Sequence, residues 1–100
     1  MHYILSYELV DDYLERRGAY RAAHFAHARQ AFDRGEIVLA GALANPADGA
    51  VFVFRGTSSA AAEEFAKADP YVLNGIVTAW RVREWTTVIG DGVEPPVLVG

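Results

Sequence analysis

Ile37-Val38-Leu39-Ala40-Gly41-Ala42-Leu43 and Val51-Phe52-Val53-Phe54 are two apolar runs, and between them stands Asn45-Pro46-Ala47-Asp48-Gly49. Asn, Pro, Asp and Gly are the residues that pre-set or tolerate turn geometry, so the stretch predicts a β-hairpin. Neither run alternates apolar with polar side chains. Both strands therefore expect cover on each of their faces.

Outward from the hairpin, each flank adds a helix and a strand. His2 to Val10 alternates Tyr3, Leu5, Tyr7 and Leu9 with His2, Ile4, Ser6 and Glu8, the period of a β-strand. Leu14 to Arg34 lacks proline, is rich in Ala and Arg, and has only Gly18 as a breaker, which predicts one long helix ending at Gly35. On the other side, Thr57-Ser58-Ser59 offers a cap for a helix over Ala60 to Ala68 with Ala61, Phe65 and Ala68 inward. A last strand runs from Ile76 to about Val88 with Trp80 and Trp85.

The order strand, helix, strand, strand, helix, strand is the ferredoxin-like α+β plan, a βαββαβ antiparallel sheet with two helices on one face. Two helices cover one face of such a sheet. The other face of the apolar hairpin then calls for a second copy of the chain, a homodimer formed through the open sheet face. The domain is expected over residues 1–90, with 91–100, containing Pro95-Pro96, as a terminal arm or extra edge strand.

The chain has 100 residues, 52% of them hydrophobic, which suits one globular domain. Nine Lys plus Arg against thirteen Asp plus Glu give a net charge of −4, so the electrostatic footprint of a nucleic-acid binder is missing. Without cysteine there is no disulfide, thiolate metal site or cysteine nucleophile. No apolar run is long enough to span a membrane and no signal-peptide pattern opens the chain, so a soluble cytoplasmic protein with no membrane partner is expected.

Ala68-Asp69-Pro70-Tyr71-Val72 carries the first chemical signal. Pro70 stops the incoming helix and leaves Asp69 at its negative end, where an anion costs about 0.3–1 kcal/mol. Either Asp69 caps a short following turn with Pro70 at its first position, or it also orients an imidazole as carboxylates do in acid/base pairs. In the first helix, Arg21, Phe25, Ala28 and Phe32 share a stripe with Arg17, His24 and Ala31 beside it. Arg17, Arg21 and His24 point the same way; they are either a cationic overhang reaching water or the mouth of an anion-recognising pocket. Ser6 either meets solvent or lines that pocket, and Glu8 and His2 are expected on the surface. His27 lies further round the helix, also on the surface. His24 and His27 have the spacing of a metal pair but no third ligand, and no metal is expected.

These residues also carry a family resemblance. Glu15-Arg16-Arg17, Tyr20-Arg21-Ala22-Ala23-His24, Gly35-Glu36-Ile37-Val38-Leu39-Ala40-Gly41, Ala68-Asp69-Pro70-Tyr71-Val72 with Gly75, and Trp80 with Trp85 closely resemble the YCII-related (YciI-like) proteins, from about Tyr3 to Gly90. Gly41-Ala42 departs from the Gly-Pro of many members. The resemblance implies a ferredoxin-like fold assembled into a dimeric α+β barrel, with a histidine and the aspartate of the Asp-Pro motif, here His24 and Asp69, as a proposed active-site pair. Some relatives are associated with dehydrochlorination of hydroxylated chloroaromatics, and the wider superfamily includes lactone isomerases and small monooxygenases.

The chemistry so implied is proton transfer without a cofactor: elimination, isomerisation or hydrolysis of a small organic anion, with His24 and Asp69 catalytic and Arg17, Arg21 and Ser6 contacting substrate. No nucleophile elbow, phosphate loop or dinucleotide fingerprint is present. Two other classes remain open. The cleft of a small-acid binding module would hold the same contacts without turnover, and a dimerisation domain would have a closed cleft and internally paired arginines.

Overall fold

The computed structural model describes residues 1–93. Four strands form one antiparallel sheet: β1 (His2–Leu9), β2 (Ile37–Ala42), β3 (Gly49–Arg55) and β4 (Val77–Trp85), in the spatial order β2-β3-β1-β4. Between them lie α1 (Tyr13–Arg16), α2 (Arg21–Asp33), α3 (Ala60–Ala68) and α4 (Pro70–Leu73). This is the ferredoxin-like α+β arrangement.

The alternation in β1 decides which face is buried. Tyr3, Leu5, Tyr7 and Leu9 are buried under the helices, whereas Ile4 and Ser6 are half-buried and Glu8 is exposed on the other face. Leu5 stands opposite Phe52 of β3 and Val82 of β4, and Tyr7 stands opposite Ala50 and Trp80. Phe52, Phe54, Phe65 and Ile76 join this core. The opposite face shows Ile4, Val51, Val53 and Leu39 in neighbouring registers, with Leu39 69% exposed.

The first helix differs from the expected continuous one. Gly18 sits in a 3-10 turn, Arg17–Ala19, which separates α1 from α2. Glycine is, after proline, the residue a helix holds least well, and the chain tightens there and restarts at Arg21. The inward stripe of α2 is therefore His24, His27, Ala28 and Ala31, at i, i+3, i+4 and i+7, while Phe25 and Phe32 remain half-exposed beside β2. In α3 the buried residues are Ala62, Phe65 and Ala66; Ala68 is exposed. The same spacing carries that stripe on to Asp69, which takes the inward position expected of Ala68.

Two glycines with positive φ close the helices: Gly35 (79°) after α2 and Gly75 (73°) after α4. β4 ends at Trp85, short of the expected Val88. The terminal arm expected over 91–100 lies mostly outside the described residues.

Candidate functional site

Asp69 is the centre of the site because the chain must reverse there. The residue leaves α3 in an extended conformation (φ −68°, ψ 126°), as a residue preceding proline does, and Pro70 opens α4. Its Oδ1 accepts from the backbone N–H of Tyr71 at 2.9 Å, so Asp69 is an N-cap. It is also an imidazole partner. The Nδ1 of His24 lies 2.8 Å from Oδ1 and 3.0 Å from Oδ2, and Asp69 is 0% exposed. A capped, solvent-free carboxylate accepts the Nδ1 proton, which leaves Nε2 as the basic nitrogen.

Among the described residues Nε2 of His24 has no hydrogen-bond partner. No buried side-chain nitrogen or oxygen among the described residues lacks a partner, so Nε2 is reached by solvent. The route is a cavity of about 890 Å³ between α2 and β2, lined by Tyr7, Tyr13, Arg17, Arg21, His24, Phe25, Phe52 and Tyr71, with β2 forming its far wall. It exists because α2 covers the sheet only up to its His24/Ala31 stripe and leaves the β2 edge open.

The cavity is cationic and largely apolar. Among the described residues no Asp or Glu lines it. Arg17 donates to the hydroxyl of Tyr13 (3.4 Å) and lies over that ring at 5.3 Å; Arg21 lies over Phe25 at 4.9 Å. Among the described residues neither arginine pairs with a carboxylate, unlike Arg16, Arg29 and Arg34. Burial, then the neighbouring Tyr13, raises the Tyr71 phenol pKa, while Arg17 and Arg21 oppose the rise. The phenol of Tyr71 and both guanidinium groups thus feel one another at the mouth.

Three of the five expected site residues therefore line one cavity, His24, Arg17 and Arg21, and a fourth, Asp69, lies buried behind His24 and bonded to it. Ser6 does not join them. It projects from the opposite face of β1, between Val51 and Arg81, because its even position in the alternation excludes it from the side of Tyr7. His27 is not the expected surface residue: its Nε2 is 2.9 Å from the carbonyl oxygen of Phe65 and its ring stacks on Phe65 at 4.4 Å. His27 is thereby committed to joining α2 to α3, and no three His, Asp or Glu side chains among the described residues converge as metal ligands. His2, expected on the surface, is half-buried and within 2.8 Å of the Thr87 hydroxyl.

Two tyrosines complete the site without having been singled out from the sequence. Tyr71 stacks on the His24 ring, and Tyr7 donates to Asp69 Oδ2 at 2.6 Å. The inward parity of Tyr7 in β1 and the place of Tyr71 directly after Asp69-Pro70 were the available signals.

A ferredoxin-like domain with a buried His–Asp pair opening on a cationic cavity is the class of protein that this geometry defines. Within that class the chain belongs to the YCII-related domain family, whose model matches residues 1–86. No curated protein matches the sequence. Among solved structures it is similar to the 5-chloro-2-hydroxyhydroquinone dehydrochlorinase TftG of Burkholderia phenoliruptrix AC1100, in complex with 2,5-dihydroxybenzoquinone. The TM-score is 0.73 at 19% identity over 94% of this chain and all of that one (100%). At that identity the likeness concerns the fold. No helix among the described residues is long and apolar enough to cross a membrane.

Proposed function

We propose that this protein is a small-molecule enzyme in which His24 and Asp69 perform cofactor-free proton transfer on a small, aromatic-derived organic anion. One observation carries the reading: among the described residues, His24 presents Nε2 without a hydrogen-bond partner to a cavity that holds two arginines not paired with a carboxylate and no acid, while its Nδ1 is bound to a buried carboxylate. His24 Nε2 takes a proton from the substrate, and the electron pair left behind either expels a leaving group or moves on to a carbonyl oxygen. In hydrolysis the proton comes from water. Asp69 offsets the imidazolium that forms, and Arg17 and Arg21 hold the substrate's carboxylate, phenolate or enolate oxygens. TftG is a dehydrochlorinase, and loss of HCl is an elimination of this kind.

The same reading places two copies face to face through the open sheet, as a homodimer in the cytoplasm. Ile4, Leu39, Val51 and Val53 supply the apolar centre of that face.

The test is turnover of a panel of hydroxylated aromatic and dicarboxylic acids by wild type, His24→Asn and Asp69→Asn. Turnover by wild type that both substitutions abolish is the expected result. Binding that persists in His24→Asn, with no product from any compound, would instead make the domain a small-acid binding module.

A further inference from the structure

We infer that Tyr7 is a positioning residue of the His24–Asp69 pair: its hydroxyl fixes the carboxylate and draws charge away from the bond to His24. This rests on the proposed role of that pair. Three donors converge on Asp69 from three elements: the Tyr71 N–H from α4 on Oδ1, the Tyr7 hydroxyl from β1 on Oδ2, and His24 Nδ1 from α2 across both oxygens. Tyr7 is 3% exposed, and its 2.6 Å bond is the shortest of the set. A main-chain N–H can only donate. Burial, followed by the charge of Asp69 and the bond to it, raises the Tyr7 pKa far enough that the phenol keeps its proton and donates as well.

The consequence for His24 is electronic as well as geometric. Asp69 hangs at the junction of α3 and α4, and among the described residues only Tyr7 ties its Oδ2 to the sheet. Each further donor also spreads the carboxylate charge over another bond, so less of it falls on Nδ1–H. The other groups facing the imidazole are Tyr71 of α4, Arg21 on its own helix, and Arg17 with Tyr13 just before that helix. Among the described residues none of these side chains bonds the carboxylate. Among the described side chains other than His24 itself, Tyr7 is the one that bonds Asp69, and the Tyr71 contribution to the carboxylate comes from its main chain.

Tyr7→Phe isolates the hydroxyl, because the ring keeps its edge contact with Phe52 at 4.8 Å. The readout is the His24 Nδ1–H proton resonance in the intact protein, followed in wild type, Tyr7→Phe, Asp69→Asn and the double variant. Tyr7→Phe should move it downfield, as a stronger bond to a more highly charged carboxylate would. In the Asp69→Asn background the same change should have no effect. 3-Fluorotyrosine placed at position 7 alone is a stronger donor of the same shape and should move the resonance upfield, which tests the inference even if Tyr7→Phe folds poorly. A resonance that answers to Asp69→Asn but to neither change at position 7 overturns the role of Tyr7 and leaves the dyad standing. One that ignores Asp69→Asn overturns the dyad itself.

Discussion

The imidazole of His24 lies flat against the phenol ring of Tyr71, with centroids 3.9 Å apart and planes 6° from parallel. Asp69 fixes one edge of the imidazole while Tyr71 fixes its plane, so Nε2 has one direction in which to point. Tyr71→Leu keeps an apolar side chain but loses the flat support, a stacking contribution of about 0.5–1.5 kcal/mol. Turnover should fall with little change in KM, measured by steady-state kinetics on whichever acid the wild type converts.

Asp69→Asn removes charge from a site where three donors converge. The amide presents its own N–H to Tyr7 or His24, leaving one buried partner unsatisfied at a cost of about 1–3 kcal/mol. Urea unfolding should show this loss with an unchanged m-value. Asp69→Ala should lose more, since the cap on Tyr71 N–H is worth about 1 kcal/mol in addition.

Arg17 and Arg21 should separate stability from binding. Neither pairs with a carboxylate among the described residues, so Arg17→Gln and Arg21→Gln should stay within about 0.5 kcal/mol of wild type in urea. Under the proposed function each would lose a charge-assisted bond to an anionic ligand, and calorimetry should find its affinity weakened about tenfold or more.

Alkali should unfold the protein through Tyr7. The folded phenol titrates above its ordinary value of 10.0 because it is buried beside Asp69. The unfolded chain ionises near pH 10, so the stabilisation is fully present below about pH 10 and is lost as pH rises toward the folded value. Tyr71, raised in the same direction, adds to the effect. Urea midpoints should hold steady up to that pH and then fall, and Tyr7→Phe, less stable at neutral pH, should show the shallower fall.

The open sheet face makes a separate prediction. Val53 stands between Ile4 and Leu39 at its centre, so Val53→Lys should split the proposed dimer. Sedimentation equilibrium should then give the monomer mass, with far-ultraviolet circular dichroism unchanged. A wild-type protein that sediments as a monomer would remove the interface from the proposal.

Local chemistry made much of this legible in the sequence. The hairpin turn, the helix Ala60–Ala68 and the stop at Asp69-Pro70 follow from residues that act on their own neighbours. What remained hidden depends on approach between distant elements. Gly18 reads as one tolerated breaker in a long helix, yet it yields a 3-10 turn and swings the inward stripe from Phe25 and Phe32 to His24 and Ala31. The parity of β1 places Tyr7 inward but does not say that a carboxylate from the end of α3 will meet it. Parity alone would have set Ser6 apart from that side. His27 looked peripheral because its partner, the Phe65 carbonyl, belongs to another helix.

The three donors on Asp69 also make the candidate site a late arrival in folding. Tyr7 and His24 lie 62 and 45 residues from Asp69 along the chain, so neither bond can form within any local segment. An isolated hairpin or a nascent α2 has no oriented imidazole, and the ordering cost of these long loops must be met by the core before the site closes. A nascent or partly opened chain therefore lacks the oriented His24–Asp69 pair, and local fraying of α4 would release the imidazole while leaving the sheet intact. Hydrogen exchange at the Tyr71 amide measures how often that happens.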